Sequence, residues 1–199
     1  MRSVAQSSAL QNNLVLASSS PRRKELLTTC GLNFEVYPSG IDEEIVKANS
    51  PKELVEILSL QKAQDVFKKF PNSFVVGADT VVALDGEILG KPKDRDHAIR
   101  MLMSLQGRDH YVWGAFTILS KDIQYTESCQ TKVFFEALTK SEIEKYVDTN
   151  EPMDKAGSYG AQGIGASFVN RIEGSYTNVV GLPLSQFISA AKKVGLIQC

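Results

Sequence analysis

Apolar positions along this chain alternate between short continuous runs and runs spaced by three or four, the pattern of strands interleaved with helices. Residues 14–17 (LVLA) form a buried-strand block. Ser20-Pro21 then supplies an N-cap and a first helical residue for a helix ending near Gly31. Residues 34–37 predict a second strand. Ser50-Pro51-Lys52-Glu53 reads as a capping box, after which Leu54, Ile57, Leu58, Gln61 and Val66 keep roughly helical spacing to about Lys69. Phe74-Val75-Val76 is a buried strand running into Gly77-Ala78-Asp79-Thr80, and Asp85-Gly86 turns a hairpin between residues 81–84 and Ile88-Leu89. Asp94 caps a helix that places Ala98, Met101, Leu102 and Leu105 on one face and stops at Gly107. Strands over 111–119 and 131–138 follow, then a helix capped by Thr139 with Glu142 at its third position. Beyond the glycine-rich run AGSYGAQGIG come a strand over 167–172, a Glu173-Gly174 turn and a last helix after Pro183. The expected architecture is α/β, with one mixed sheet flanked by helices on both sides, in a single domain over residues 14–199.

Composition narrows the partners. The 199 residues carry 22 Lys and Arg against 23 Asp and Glu, a formal net charge of -1. No overall field therefore recruits nucleic acid or an anionic membrane, and any anion site must be local. The longest apolar stretch falls well short of the roughly 20 residues that span a bilayer, so a soluble, cytoplasmic protein is expected. Residues 1–13, with one Arg, no acid and several Ser, read as a disordered leader or a weak transit peptide rather than a secretory signal. Cys30, Cys129 and Cys199 are widely spaced and form no C-x-x-C, which suits reduced thiols. His97 and His110 fall in a polar helical stretch and at a strand start, away from any cysteine.

Four stretches carry candidate chemistry. In LASSSPRRKELL, two arginines follow three serines at a helix N-terminus, where the dipole is already positive. Arg22 and Arg23 there are either a phosphate grip or solvent-facing side chains above a simple Ser20 cap. In VVGADTVV, Asp79 follows an apolar strand and small residues, either a carboxylate at the mouth of a sheet or a turn-forming side chain. Lys91, in GKPKD, and Lys62, in an otherwise apolar helix face, are phosphate contacts or solvated lysines. The run EPMDKAGSYGAQGIGA offers backbone amides open to a ligand or a set of tight turns. Asp42, Glu43 and Glu44 form an exposed acidic run or, with substrate phosphates, a Mg²⁺ site. No Walker loop and no dinucleotide fingerprint occur.

Together, LASSSPRRKELL, GIDEE, QKA, VVGADTVV, GEILGKPKD, AIRMLMSLQGRDH, EPMDKAGSYGAQG and GSYTNVVGLPL resemble, in order from about Leu14 to about Lys192, the Maf-like nucleoside triphosphate pyrophosphatases of the dTTP/UTP branch. The resemblance implies a two-lobed fold with a central cleft. It also implies hydrolysis between the α and β phosphates of dTTP and UTP, with CTP or modified pyrimidine nucleotides as further substrates. A divalent cation, Mg²⁺ or Mn²⁺, and frequent homodimers belong to the same pattern. The proton acceptor falls on Asp79. Phosphate-side contacts fall on Ser18, Ser20, Arg22, Arg23, Lys62 and Lys91, with Glu43 as an acidic contributor that would share a metal with Asp79. Base choice falls on Arg22, Thr80 and Gln162. The family's association with septum formation supplies the rival expectation of a non-catalytic nucleotide sensor that restrains cell division. A phosphatase releasing orthophosphate is a third. Ser158 and Ala161 depart from the commoner residues of the glycine run and are expected to alter its packing.

Overall fold

One long strand, β3 (Phe74–Leu84), organises the molecule; the computed structural model describes residues 13–197. Apart from Asn13, the expected leader lies outside the described residues, as does Cys199. Before β3 come β1 (Leu14–Leu16), α1 (Pro21–Thr29), β2 (Glu35–Val36) and α2 (Pro51–Phe67). After it come β4 (Glu87–Leu89), α3 (Arg95–Leu105), β5 (Asp109–Leu119), β6 (Gln124–Phe135), α4 (Lys140–Val147), three short 3₁₀ turns, β7 (Val169–Glu173), α5 (Tyr176–Val180) and α6 (Leu184–Lys193). The strands make one mixed sheet in the order β2-β1-β3-β5-β6-β7, with β4 paired to the far end of β3. β1 runs parallel to β2 and β3, whereas β3, β5, β6 and β7 are successively antiparallel.

The alternation of side chains along β3 divides the core. Val75 and Val81 face α2, where Val55, Ala63 and Val66 are fully buried. Val76 and Ala78 face a cluster built from α1, α5 and α6, including Leu27, Val180 and Phe187. Val82 and Leu84, on that same face, join a separate cluster built from α3 and α4, including Leu102, Leu105 and Ile143. Helices thus cover both faces, and the two clusters on one face make two lobes.

The gap between the lobes is written into the pairing of β3. On one side β5 pairs with it continuously from Val75 to Ala83. On the other side β1 pairs only with Phe74–Val76 and β4 only with Val82–Leu84. Residues 77–81 lie between those two partners, so the edge of the sheet opens there into a cleft. Asp79 therefore does not follow the end of a strand, as its sequence context suggests. It lies mid-strand, and the mouth is made laterally where β1 stops short.

Local chemistry explains most element boundaries. Ser20 caps α1 through Arg23 N at 3.4 Å, with Pro21 opening the helix. Thr139 and Glu142 complete a capping box on α4. On α2 the box is displaced: Ser50 accepts from Glu53 N, but the Glu53 carboxylate reaches back to the backbone and side-chain amides of Asn49. Asp85 and Gly86 both take positive φ, 52° and 86°, as the two-residue β3–β4 hairpin requires. Two elements, β6 and α5, depart from expectation. β6 starts at Gln124, seven residues before the predicted 131, because it pairs with β5 along that strand's whole length and its polar side chains find partners in Thr117 and Glu56. It also ends at Phe135, short of the predicted 138, and α5 has no counterpart in the apolar pattern. Among the described residues, no helix is long and apolar enough to cross a membrane.

Candidate active site

The cleft between the lobes encloses about 600 Å³ and gathers Ser18, Ser20, Arg22, Arg23, Glu43, Lys62, Asp79, Thr80, Lys91 and Gln162 along its walls. That volume suits a nucleotide-sized ligand. All ten residues singled out from the sequence meet there, although they come from six separate stretches of chain.

Its floor is a charged triad. Asp79 points toward α2, and its Oδ1 accepts from Lys62 Nζ at 2.6 Å. Both side chains are nearly solvent-free, 7% and 6% exposed, so neither charge could stand there alone. Glu43, from the loop after β2, approaches the same ammonium at 3.0 Å from the half-exposed side. Lys62 is thus no solvated lysine. It lies on the buried face of α2 beside Ala63 and holds two carboxylates toward one point. What lets α2 come this close is Gly77, two residues before Asp79 on the same face of β3. A Cβ there would meet Ser59 O at 2.1 Å and Ala63 N at 2.7 Å.

The opposite wall explains the paired arginines at the N-terminus of α1, which part company. Arg23 turns inward and donates to three neutral acceptors: Gly181 O through Nε at 2.9 Å, and Ser18 Oγ and Thr80 Oγ1 through its terminal nitrogens, each at 3.2 Å. Desolvation pulls its pKa below the ordinary value, while Asp79 and Glu43 pull it back up. Ser18 Oγ also accepts from Ser20 N at 3.2 Å, so its own O–H remains free to donate into the cleft. Arg22 turns outward and bridges to Asp154 at 3.1 Å, tying α1 to the loop across the mouth. Burial pushes the Asp154 carboxyl up, but Lys155 and Arg22 outweigh it and hold the pKa below the usual carboxylate range. Lys91 is exposed at the rim. Arg23 therefore meets only neutral acceptors and Arg22 only the exposed Asp154 carboxylate, so this wall keeps positive charge that favours a polyanion.

Sequence reasoning missed Gly181, the end of α5, whose carbonyl accepts from both Arg23 and Thr80 Oγ1. Its φ of 140° aims that carbonyl and requires glycine. The glycine-rich run also differs from one of its two readings. Its amides at Gly160, Ile164 and Gly165 donate to Tyr146 Oη and the Glu151 carboxylate rather than facing the cleft. The run is a set of tight turns wrapped around those two side chains. Ser158 within it is fully buried at φ 61° and donates to Met101 Sδ, an unusual conformation for a non-glycine residue held by its surroundings.

The donor set fits a hard divalent cation. Asp79 and Glu43 present carboxylate oxygens on one side of the cleft, and Mg²⁺ or Mn²⁺ completes such a shell with phosphate oxygens and water. Among the described residues, no cluster of three or more His, Cys, Asp and Glu side chains supplies a dedicated cage.

The family described as Maf-like protein matches residues 13–194 of this chain. The dTTP/UTP pyrophosphatase of Geobacillus sp. (strain WCH70) is 50% identical over 182 residues, covering 92% of this chain and 98% of that protein. The dTTP/UTP pyrophosphatase of Bacillus pumilus (strain SAFR-032) is 47% identical over 185 residues, covering 93% and 98%. The solved structure of the Staphylococcus aureus Ham1 protein aligns over 79% of each chain with a TM-score of 0.47 at 14% identity.

Proposed function

Because this chain belongs to the Maf-like family, we propose that it hydrolyses dTTP and UTP to the monophosphate and pyrophosphate, using Mg²⁺ or Mn²⁺. The observation that carries the reading is the position of Asp79 and Glu43 at the floor of a cleft whose other wall presents Arg22 and Arg23. A protein that only senses nucleotides gains from the arginines but loses from carboxylates beside the phosphates. An enzyme that must orient and deprotonate water needs both.

On this reading the triphosphate lies across the cleft with its base toward Gln162. Arg22, Arg23 and Lys91 neutralise phosphate oxygens, and the Ser18 hydroxyl adds a donor. Asp79 and Glu43 would hold the divalent cation, which when bound would supply neutralisation of phosphate charge. Asp79 takes the proton of the water whose oxygen bonds to the α-phosphorus, as the bond to the bridging oxygen breaks and pyrophosphate leaves. The 2.6 Å bond from Lys62 holds the Asp79 carboxylate aimed, so the base does not need to reorganise. Gln162, carrying both a donor and an acceptor, pairs with the O4/N3 edge of thymine or uracil. Thr80 and Arg22 shape the same end of the substrate. A cytoplasmic homodimer acting on free nucleotides, including modified ones kept out of RNA and DNA, completes the proposal.

The test is incubation with dTTP, UTP, CTP, GTP and ATP plus Mg²⁺ or Mn²⁺, following pyrophosphate and orthophosphate separately. Pyrophosphate from dTTP and UTP is expected, with a loss of about 10²–10⁴-fold in Asp79→Asn, the range typical of a lost general base, while nucleotide binding persists. Orthophosphate instead of pyrophosphate points to a terminal phosphatase. Binding without release of either favours the sensor.

A further inference from the structure

Four glycines in ten residues make the stretch 156–165 costly to order, yet it carries Gln162 at the cleft wall. We propose that Glu151 and Tyr146, neither of which lines the cleft, act as a positioning pair that fixes this loop and thereby sets which nucleobase the cleft accepts. The inference rests on the reading of Gln162 as the base-pairing side chain.

The anchors bracket Gln162 on both sides. Upstream, Gly160 N donates to Tyr146 Oη at 3.3 Å. Downstream, Ile164 N donates to Glu151 Oε2 and Gly165 N to Glu151 Oε1, each at 3.0 Å. Tyr146 joins the two halves by donating its own O–H to Glu151 Oε1 at 3.0 Å. The phenol is 3% exposed and is packed edge-on against Phe168, with ring centroids 4.8 Å apart, so the hub rests on the α3–α4 core rather than on the loop. Burial pushes the Glu151 carboxyl up, but the two backbone N–H groups and the phenol outweigh it, so the hub stays ionised below the usual carboxylate range. Burial also raises the Tyr146 pKa, which keeps its proton available to donate.

The glycines record the same packing. A Cβ on Gly165 would meet Tyr146 Oη at 2.6 Å, and one on Gly163, at φ 76°, would meet Glu151 Oε2 at 2.8 Å. The loop is glycine-rich because it wraps closely around a carboxylate and a phenol. Glu151→Gln preserves the shape of the hub but leaves one oxygen for three donors, so at least one anchor beside Gln162 must be lost.

The experiment compares wild type, Glu151→Gln, Tyr146→Phe, Gln162→Ala and the Glu151→Gln/Gln162→Ala double variant. It measures kcat, KM and equilibrium Kd for dTTP and CTP, with thermal unfolding alongside. Gln162→Ala is expected to lower the dTTP-over-CTP preference by about 10-fold or more, the scale of one lost base-pairing contact. Glu151→Gln is expected to reproduce most of that loss, mainly in KM and Kd, and the double variant to show no further loss than Gln162→Ala alone, since both changes act through one side chain. Tyr146→Phe removes a single anchor, keeps the ring packing, and is expected to give a smaller shift in the same direction. It carries the test if Glu151→Gln does not fold. Unchanged preference in the folded hub variants, with Gln162→Ala impaired, overturns the proposal while leaving the reading of Gln162 intact. Unchanged preference in Gln162→Ala overturns both.

Discussion

Gly77→Ala adds one methyl group at the point where α2 presses hardest on the sheet. The new Cβ would lie 2.1 Å from Ser59 O and 2.7 Å from Ala63 N, both backbone atoms, and contacts under 3.0 Å are essentially never seen. No side-chain rotation relieves this, so α2 must retreat by about 1 Å, an overpacking strain that costs about 1–3 kcal/mol or more. For a chain of this size that corresponds to a fall in Tm of about 2–12 °C. The same retreat carries Lys62, adjacent to Ala63 on α2, away from Asp79. A bond of 2.6 Å cannot survive such a shift intact, and misplacing a catalytic group by about 1 Å costs on the order of 10²-fold in rate. Both effects should appear together: a lowered Tm by calorimetry and a kcat for dTTP reduced far beyond the fraction unfolded at the assay temperature. Gly40→Ala is the control, because a Cβ there meets only Asp65 Oδ2, at an ordinary 3.9 Å, and its φ is not positive. A Gly77→Ala protein with Tm and kcat close to wild type would refute the claim that this glycine sets the distance between Lys62 and Asp79.

Two further predictions use the same geometry. Arg23→Lys replaces a planar fork serving Gly181 O, Ser18 Oγ and Thr80 Oγ1 with a single ammonium. It is expected to lower kcat/KM for dTTP by about 10–100-fold and stability by about 1–3 kcal/mol, checked by steady-state kinetics and urea unfolding; near-normal values would show that only the charge matters. His110 is 1% exposed, and burial lowers its pKa from 6.5 to about 4, so between those values the unfolded chain binds a proton that the folded protein refuses. The stability contributed by neutral His110 is complete above about pH 7 and falls as pH drops from 6.5 to 4, by about 3 kcal/mol in all. Urea unfolding of wild type and His110→Gln across pH 7.5 to 4.5 should show a difference that changes with pH in this sense, and a constant difference contradicts it.

Patterns with a short range along the chain were legible without coordinates. Period and capping located α1, α3 and α4, and Asp85-Gly86 located the β3–β4 hairpin, because each depends on residues within a few positions of one another. The charged residues of the cleft were also legible, as charges at a helix start or interrupting apolar runs, whereas Thr80 and Gln162 were marked only by the family resemblance. Their roles toward one another were not. Lys62 and Asp79 are 17 positions apart, Arg22 and Asp154 132 apart, and only the packing of α2 on β3 and the closing of two lobes decide that they pair. The start of β6 at Gln124 came from the ladder with β5, which satisfies a polar stretch that periodicity cannot mark. The glycine run shows the division most clearly. Its composition established that the backbone there must turn tightly or approach something closely. That its amides close on Glu151 and Tyr146, instead of opening to a ligand, was decided by the tertiary structure, which alone determines where a backbone donor finds its acceptor.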